Sequence, residues 1–119
     1  MNSNFLLLSK SERLINYYNK LLINFPHKEY VLKNNIETTS YKLIENIFSY
    51  NINTTDRIKQ KYLKDLLINL SMLDFYSKVS FNKKIISKRQ FEVVVRAIIE
   101  IRKITYGVIK SEQTKESWL

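Results

Sequence analysis

Glycine and proline are almost absent from this chain, whose 119 residues include one of each, Gly107 and Pro26. Tight hairpin turns and bulges depend on backbone conformations that glycine and proline supply. Sheet-based folds need many such turns between their strands, whereas helices can be joined by short polar segments. The composition therefore favours an all-α domain.

The clearest helix is expected over residues 88–110. Ser87 and Gln90 fit a capping box, in which the serine hydroxyl accepts from the glutamine N–H and the glutamine side chain accepts from the serine N–H. Ile86 and Phe91 are placed for a hydrophobic staple around this cap. Apolar or small side chains then follow at the spacing of one buried helix face: Phe91, Val94, Val95, Ile98, Ile101, Thr105 and Val108.

Two amphipathic segments flank the only proline. A second capping-box pattern, Ser9-Lys10-Ser11-Glu12, predicts a helix over about residues 9–25. This helix should end before Pro26, because proline disfavours the α conformation in the residue that precedes it. Pro26 can then occupy the first turn of a second helix, which we expect over about 28–50.

A polar break after residue 50 separates the second helix from a third, expected over about 55–77 and capped by Thr54 or Thr55. Four amphipathic helices with short connections predict an up-down-up-down four-helix bundle that forms a single domain over residues 1–119. The polar tail, residues 111–119, is expected to fray.

Helices three and four carry more apolar surface than one core seam requires. The additional positions are Leu63, Leu67, Ala97, Ile99, Ile104 and Tyr106. One interpretation is a second interface, with neighbouring subunits, that would make the protein a homo-oligomer. The other is that interior helices of a bundle simply have wide apolar faces.

The formal net charge is +9, with a sequence pI of about 9.7. Such a balance indicates a polyanionic partner, nucleic acid before an anionic membrane surface. The alternative is that lysines on helix surfaces only maintain solubility, and that the codon bias of an AT-rich genome has increased their number.

The basic residues also have an order. Four recur every seven residues on the face of helix four that lies opposite its core seam: Arg89, Arg96, Lys103 and Lys110. A second group shares the outer face of helix three, and a third lies between the two helices: Arg57, Lys61 and Lys64, then Lys83, Lys84 and Lys88. Such rows suit phosphates and offer no base-reading geometry, so we expect RNA or duplex binding with little sequence preference. A solvated outer face would show the same pattern.

Little in the sequence supports catalysis. Cysteine is absent, His27 is the only histidine, and no Glu-x-x-His motif could build a di-iron site. One glycine cannot form a phosphate-cradling loop. We therefore expect no enzyme activity, no metal and no cofactor. Apolar runs are too short for a signal segment or a membrane span, so a cytoplasmic protein without membrane association is the default expectation.

Several short motifs stand in the order and spacing of a known family: Asn24-Phe25-Pro26, Leu32 with the 36–47 segment, the 87–92 helix opening, and the 100–111 segment. Over roughly residues 10–111 the chain resembles the accessory variability determinant proteins of diversity-generating retroelements. These are related to four-helix proteins encoded in intervening sequences of ribosomal RNA genes.

The resemblance implies a four-helix bundle that assembles as a ring-like homopentamer and has no catalytic activity. It also implies a partner role, in which the protein binds the reverse transcriptase and the template RNA during mutagenic copying. The alternative is a structural or interaction protein of the ribosomal intervening-sequence type without a specific nucleic-acid role.

Overall fold

The computed structural model describes residues 2–117 and the side chains of residues 2–113. Its four α-helices are α1 (Ser3–Leu22), α2 (Tyr30–Ile52), α3 (Asp56–Asn82) and α4 (Lys88–Ser117). A 3-10 helix, His27–Glu29, precedes α2. The helices form an elongated bundle of 53 × 22 × 20 Å, and the predicted all-α four-helix bundle is confirmed.

Neighbouring helices in the bundle run antiparallel. α1 and α3 each pack against α2 and α4. At one end, Tyr50 of α2 donates a hydrogen bond to Glu112 of α4, at 2.7 Å between Oη and Oε1. At the other end, Lys83 after α3 forms an ion pair with Glu29 before α2, at 3.0 Å. This arrangement is the expected up-down-up-down topology.

All four helices contribute one apolar face to the core, and the side chains at its centre are almost fully buried: Leu7, Leu14, Ile36, Leu43, Ile47, Leu63, Leu66, Leu70, Leu73, Val94, Ile98 and Ile101. On α4 the predicted seam is confirmed, with Phe91 and Val95 at its partly buried edge. Small polar side chains are buried where the helices approach, among them Thr39 and Ser40 of α2. The Ser40 hydroxyl donates to the Glu37 carbonyl oxygen at 2.8 Å, so its burial leaves no hydrogen-bonding group unsatisfied.

The predicted capping box at the start of α4 is confirmed. The Ser87 N–H donates to Gln90 Oε1 at 2.8 Å, and the Gln90 N–H donates to Ser87 Oγ at 3.1 Å. Phe91, in the first turn, stacks on Phe81 of α3 with ring centroids 4.9 Å apart. These contacts fix where α4 begins and how it lies against α3.

The predicted capping box at residues 9–12 is wrong. α1 begins at Ser3, and Asn2 caps it by accepting from the Asn4 N–H at 2.8 Å. Ser9 instead donates to the Leu6 carbonyl oxygen at 3.3 Å, within the helix. The physical reason is Leu7, which is fully buried and extends the core face of α1 towards the N-terminus.

Other helix boundaries also differ from the expected ones. α1 ends at Leu22 rather than residue 25, and Pro26 precedes the 3-10 helix instead of entering α2. α3 continues to Asn82, past the expected end at residue 77. α4 continues to Ser117 through the tail that was expected to fray, and residues 118–119 lie outside the described part of the chain.

Candidate nucleic-acid interface

The row of cations on α4 is exposed along the side opposite the buried seam. Arg89, Arg96, Lys103 and Lys110 all lie at the surface, while Val94, Ile98 and Ile101 fill the core behind them. The Arg96 side chain is 80% exposed, and its ion pair with Glu92 is loose, at 3.9 Å. A surface pair of this kind contributes little free energy, so Arg96 can exchange Glu92 for a phosphate.

The lysines between α3 and α4 have different surroundings. Lys83 is held by Glu29 through the ion pair that closes this end of the bundle. Lys84 is exposed and has a backbone φ of 61°, in the left-handed region that non-glycine residues rarely occupy. Lys88 is exposed in the first turn of α4. Lys84 lies beside Lys83 near Pro26 and Glu29, whereas Lys88 lies on α4 itself, next to Arg89.

The predicted cluster on α3 is also exposed, but its setting is apolar. Arg57, Lys61 and Lys64 lie on the outer surface of α3 beside Ile58 and Ile68. Lys61 Nζ lies 3.4 Å from Asp65 Oδ2 and 4.7 Å from the centroid of the Tyr62 ring. A ligand at this α3 cluster would therefore meet apolar side chains as well as positive charge.

The three basic groups lie on two neighbouring antiparallel helices, α3 and α4, and on the connection between them. Arg102 of α4 and Ser71 of α3 meet between these two helices, at 3.4 Å between Nη2 and Oγ. α2, by contrast, contains two lysines and two glutamates and so has no net charge. The positive charge of the molecule is concentrated away from α2.

The predicted additional apolar positions fall into two classes. Leu63 is fully buried, and Leu67, Ala97 and Ile104 pack against the core. Ile99 and Tyr106 remain 50% and 56% exposed beside the α4 row. The wide apolar faces of α3 and α4 therefore serve mainly the core of the bundle itself.

A larger exposed apolar surface lies on α2, where Tyr41 and Phe48 are 52% and 49% exposed and Ile52 is 78% exposed. Sequence reasoning missed this surface. The spacing of these residues was a usable signal, because seven and four residues place side chains on one helix face. That face lies opposite the buried seam of Ile36, Leu43 and Ile47.

Two ionisable side chains outside the basic groups illustrate different surroundings, His27 at the surface and Tyr50 in the core. His27 is exposed in the 3-10 helix. Burial raises the pKa of Tyr50, and so do its hydrogen bond to Glu112 and the negative charges of Glu112 and Asp56. Among residues 2–117, no three acidic, histidine or cysteine side chains gather where they could hold a metal ion. Within the same range, no helix combines the length and hydropathy needed to cross a bilayer.

Comparison with known proteins gives a family. A family model described as bAvd-like matches residues 5–112, a range that reaches from the first turn of α1 to near the end of α4. The chain belongs to the bAvd-like family. This confirms the resemblance to the accessory variability determinant proteins. No curated protein and no solved structure matches the chain.

Proposed function

We propose that this bAvd-like protein is a non-catalytic, oligomeric accessory protein of a diversity-generating retroelement. It acts in the cytoplasm, binds the reverse transcriptase and the template RNA or RNA/DNA duplex during mutagenic copying, and assembles from five copies, as the family resemblance implies. Family membership over residues 5–112 supports this role. The observation that carries the nucleic-acid part is the row of exposed cations on α4.

The α4 row suits a phosphate backbone better than base edges. Arg89, Arg96, Lys103 and Lys110 are spaced by seven residues, which corresponds to a rise of about 10.5 Å between successive side chains. Their long side chains can each reach a phosphate, and such contacts position a nucleic acid without reading its sequence. Each contact releases condensed counterions, so affinity should fall steeply as the salt concentration rises.

Reversing two charges in the middle of the row tests the nucleic-acid role. Arg96→Glu with Lys103→Glu should weaken binding to structured RNA by at least about tenfold and flatten the logarithmic salt slope by about one unit per lost contact. Both side chains are exposed, so the core should be unaffected. The measurement is a salt titration of both proteins against two unrelated RNAs, which should respond alike.

A matched control separates the row from the net charge of the protein. Arg13→Glu with Lys20→Glu makes the same change in charge at exposed positions of α1. This variant should bind RNA much more tightly than the α4 variant. Equal weakening by both variants would mean that only net charge matters, and undiminished binding by the α4 variant would contradict the proposed role of the row.

A second candidate is a structural or interaction protein of the ribosomal intervening-sequence type. Two observations favour it: Lys61 and Lys83 already have carboxylate partners, and α2 exposes an apolar face suited to protein contacts. This candidate predicts no salt-sensitive RNA binding at the α4 row. Reverse transcriptase binding is tested separately, by co-purification with the reverse transcriptase of the same retroelement.

A further inference from the structure

Two exposed apolar surfaces of the bundle carry opposite charge. The first is the groove between α1 and α2, which we call the acidic groove. Its lining comprises Glu12, Ile15, Asn16, Tyr41, Ile44, Glu45, Phe48, Ser49 and Ile52. Both of its charged lining residues are glutamates.

The acidic groove has an apolar floor and unpaired acidic edges. Ile15 is only 6% exposed at its base, whereas Phe48 is 49% exposed. Glu12 and Glu45 are exposed, and neither forms an ion pair with another described residue. Exposed apolar side chains with a polar rim are typical of a protein–protein contact surface.

The second surface is the outer face of α3, which we call the basic ridge. It consists of Arg57, Ile58, Gln60, Lys61, Lys64, Asp65, Ile68, Met72 and Phe75. Ile68 and Phe75 are 60% and 56% exposed. Of its three cations, only Lys61 is paired with a carboxylate among the described residues, that of Asp65. The ridge therefore has an apolar stretch and an excess of positive charge.

One molecule cannot bring these two surfaces together, because both face outwards from the same bundle: the acidic groove lies between α1 and α2, and the basic ridge lies on the outer face of α3. We propose that the acidic groove of one copy receives the basic ridge of a second copy. The glutamates of the groove would then face Arg57 and Lys64, while the apolar side chains of both surfaces lose contact with water. This pairing rests on the homo-oligomer in the proposed function and specifies its interface.

The pairing joins two different surfaces, so it is a heterologous contact. After one contact forms, the pair still has one open groove and one open ridge, and addition continues until a ring closes. The pairing also covers the α3 cations. Phosphate binding is then concentrated on the α4 row together with Lys84 and Lys88, and charge reversals on α3 and α4 should have different effects.

Charge reversal followed by charge exchange tests the pairing. Glu12→Lys with Glu45→Lys makes the groove basic, and Arg57→Glu with Lys64→Glu makes the ridge acidic. Each double variant should dissociate at a protein concentration at least about tenfold higher than the wild type, because like charges then face each other. The four changes combined in one chain should restore assembly to within about threefold of the wild type, because opposite charges face each other again. The measurement is light-scattering mass over a dilution series.

Two control variants make the same kinds of change outside the two surfaces. Glu92→Lys lies on α4 and Lys78→Glu on α3, both exposed. Both controls should keep the wild-type mass. Dissociation of the controls to the same extent, or a combined variant that stays dissociated while its circular-dichroism melt matches the wild type, would overturn the pairing.

RNA binding by the wild type separates this inference from the proposed function. A wild type that binds RNA as a monomer would overturn the pairing and leave the RNA role intact. A wild type that assembles with the expected response to charge exchange, but binds neither RNA, would overturn the RNA role and support the pairing.

Discussion

The chain reversal between α3 and α4 depends on a few individual residues. The Ile85 N–H donates to the Ser80 carbonyl oxygen and the Lys84 N–H to that of Phe81, both at 2.9 Å. These are the two bonds of a Schellman motif, and Lys84 holds its left-handed position, where glycine is usual. Immediately after it, Ser87 begins the capping box of α4. These bonds satisfy the carbonyl groups of Ser80 and Phe81 at the end of α3 and the N–H groups of Ser87 and Gln90 at the start of α4.

The cap of α4 can be tested by removing one hydroxyl. Ser87→Ala should lower the free energy of unfolding by about 1 kcal/mol, because the Gln90 N–H loses its acceptor. The measurement is a denaturant unfolding curve. Ser111→Ala, the same change at an exposed position within α4, is the control and should have little effect. An unchanged midpoint for Ser87→Ala would contradict the cap.

At the scale of a whole element, the stability of α1 depends on its first turns, which begin at Ser3 and precede the start predicted at about residue 9. Leu7 is fully buried, and truncating such a side chain costs both its burial and the cavity that remains. Leu7→Ala should lower the free energy of unfolding by about 2–5 kcal/mol. The neighbouring Phe5 is 58% exposed, so Phe5→Ala should change the free energy of unfolding by no more than about 0.5 kcal/mol. Equal effects of the two variants in thermal or denaturant unfolding would mean that Leu7 is not packed into the core of the bundle.

The two capping-box patterns show what local sequence can predict. At Ser87 the pattern follows a turn and directly precedes the apolar periodicity. The capping residues and the buried face therefore favour the same start of the helix. At Ser9 the same type of pattern lies inside a longer apolar period that includes Leu7, Leu14 and Tyr18. The buried Ser11 interrupts that period with a polar residue and conceals it. Burial of Leu7 then outweighs the preference of Ser9 for a helix start.

At the scale of the whole molecule, one side chain joins helices on the diagonal of the bundle. Tyr18 of α1 and Ser77 of α3 share a buried hydrogen bond of 2.8 Å between their hydroxyl oxygens. Burial raises the pKa of Tyr18 well above its ordinary value of 10.0; the bond to Ser77 opposes this shift, and the charge of Asp74 adds to it. The folded protein therefore keeps a proton that the unfolded chain releases at alkaline pH.

This difference predicts how stability depends on pH. Below pH 10 Tyr18 is protonated in both states and its contribution is complete, whereas above pH 10 only the unfolded chain loses the proton and stability falls. Tyr18→Phe should reduce the slope of unfolding free energy against pH, by up to about 1.4 kcal/mol per pH unit. Tyr50→Phe should act in the same direction, since the Tyr50 pKa is also raised. Superimposable alkaline curves for Tyr18→Phe and the wild type would contradict the prediction.

The fold class and the α4 row could be predicted because both follow from periodicity along one helix. Apolar side chains at Val94, Ile98 and Ile101 fix which face is buried, and Arg96 and Lys103 then lie opposite. The acidic groove could not be predicted in this way. Its apolar lining includes the nearly buried Ile15 and the exposed Phe48 from different helices, and only their packing determines which side chain remains in contact with water.

The uneven distribution of charge has a kinetic consequence. α4 has seven basic and four acidic residues, whereas the lysines and glutamates of α2 cancel. The bundle therefore has an electric dipole moment, and the field of a polyanion will rotate an approaching molecule before contact and accelerate productive encounters. Such an encounter presents α4 first and leaves Tyr41 and Phe48 of α2 pointing away from the polyanion. The first collision thus selects an orientation in which the α4 row meets the polyanion, while the acidic groove lies on the far side and remains available to the basic ridge of a second copy.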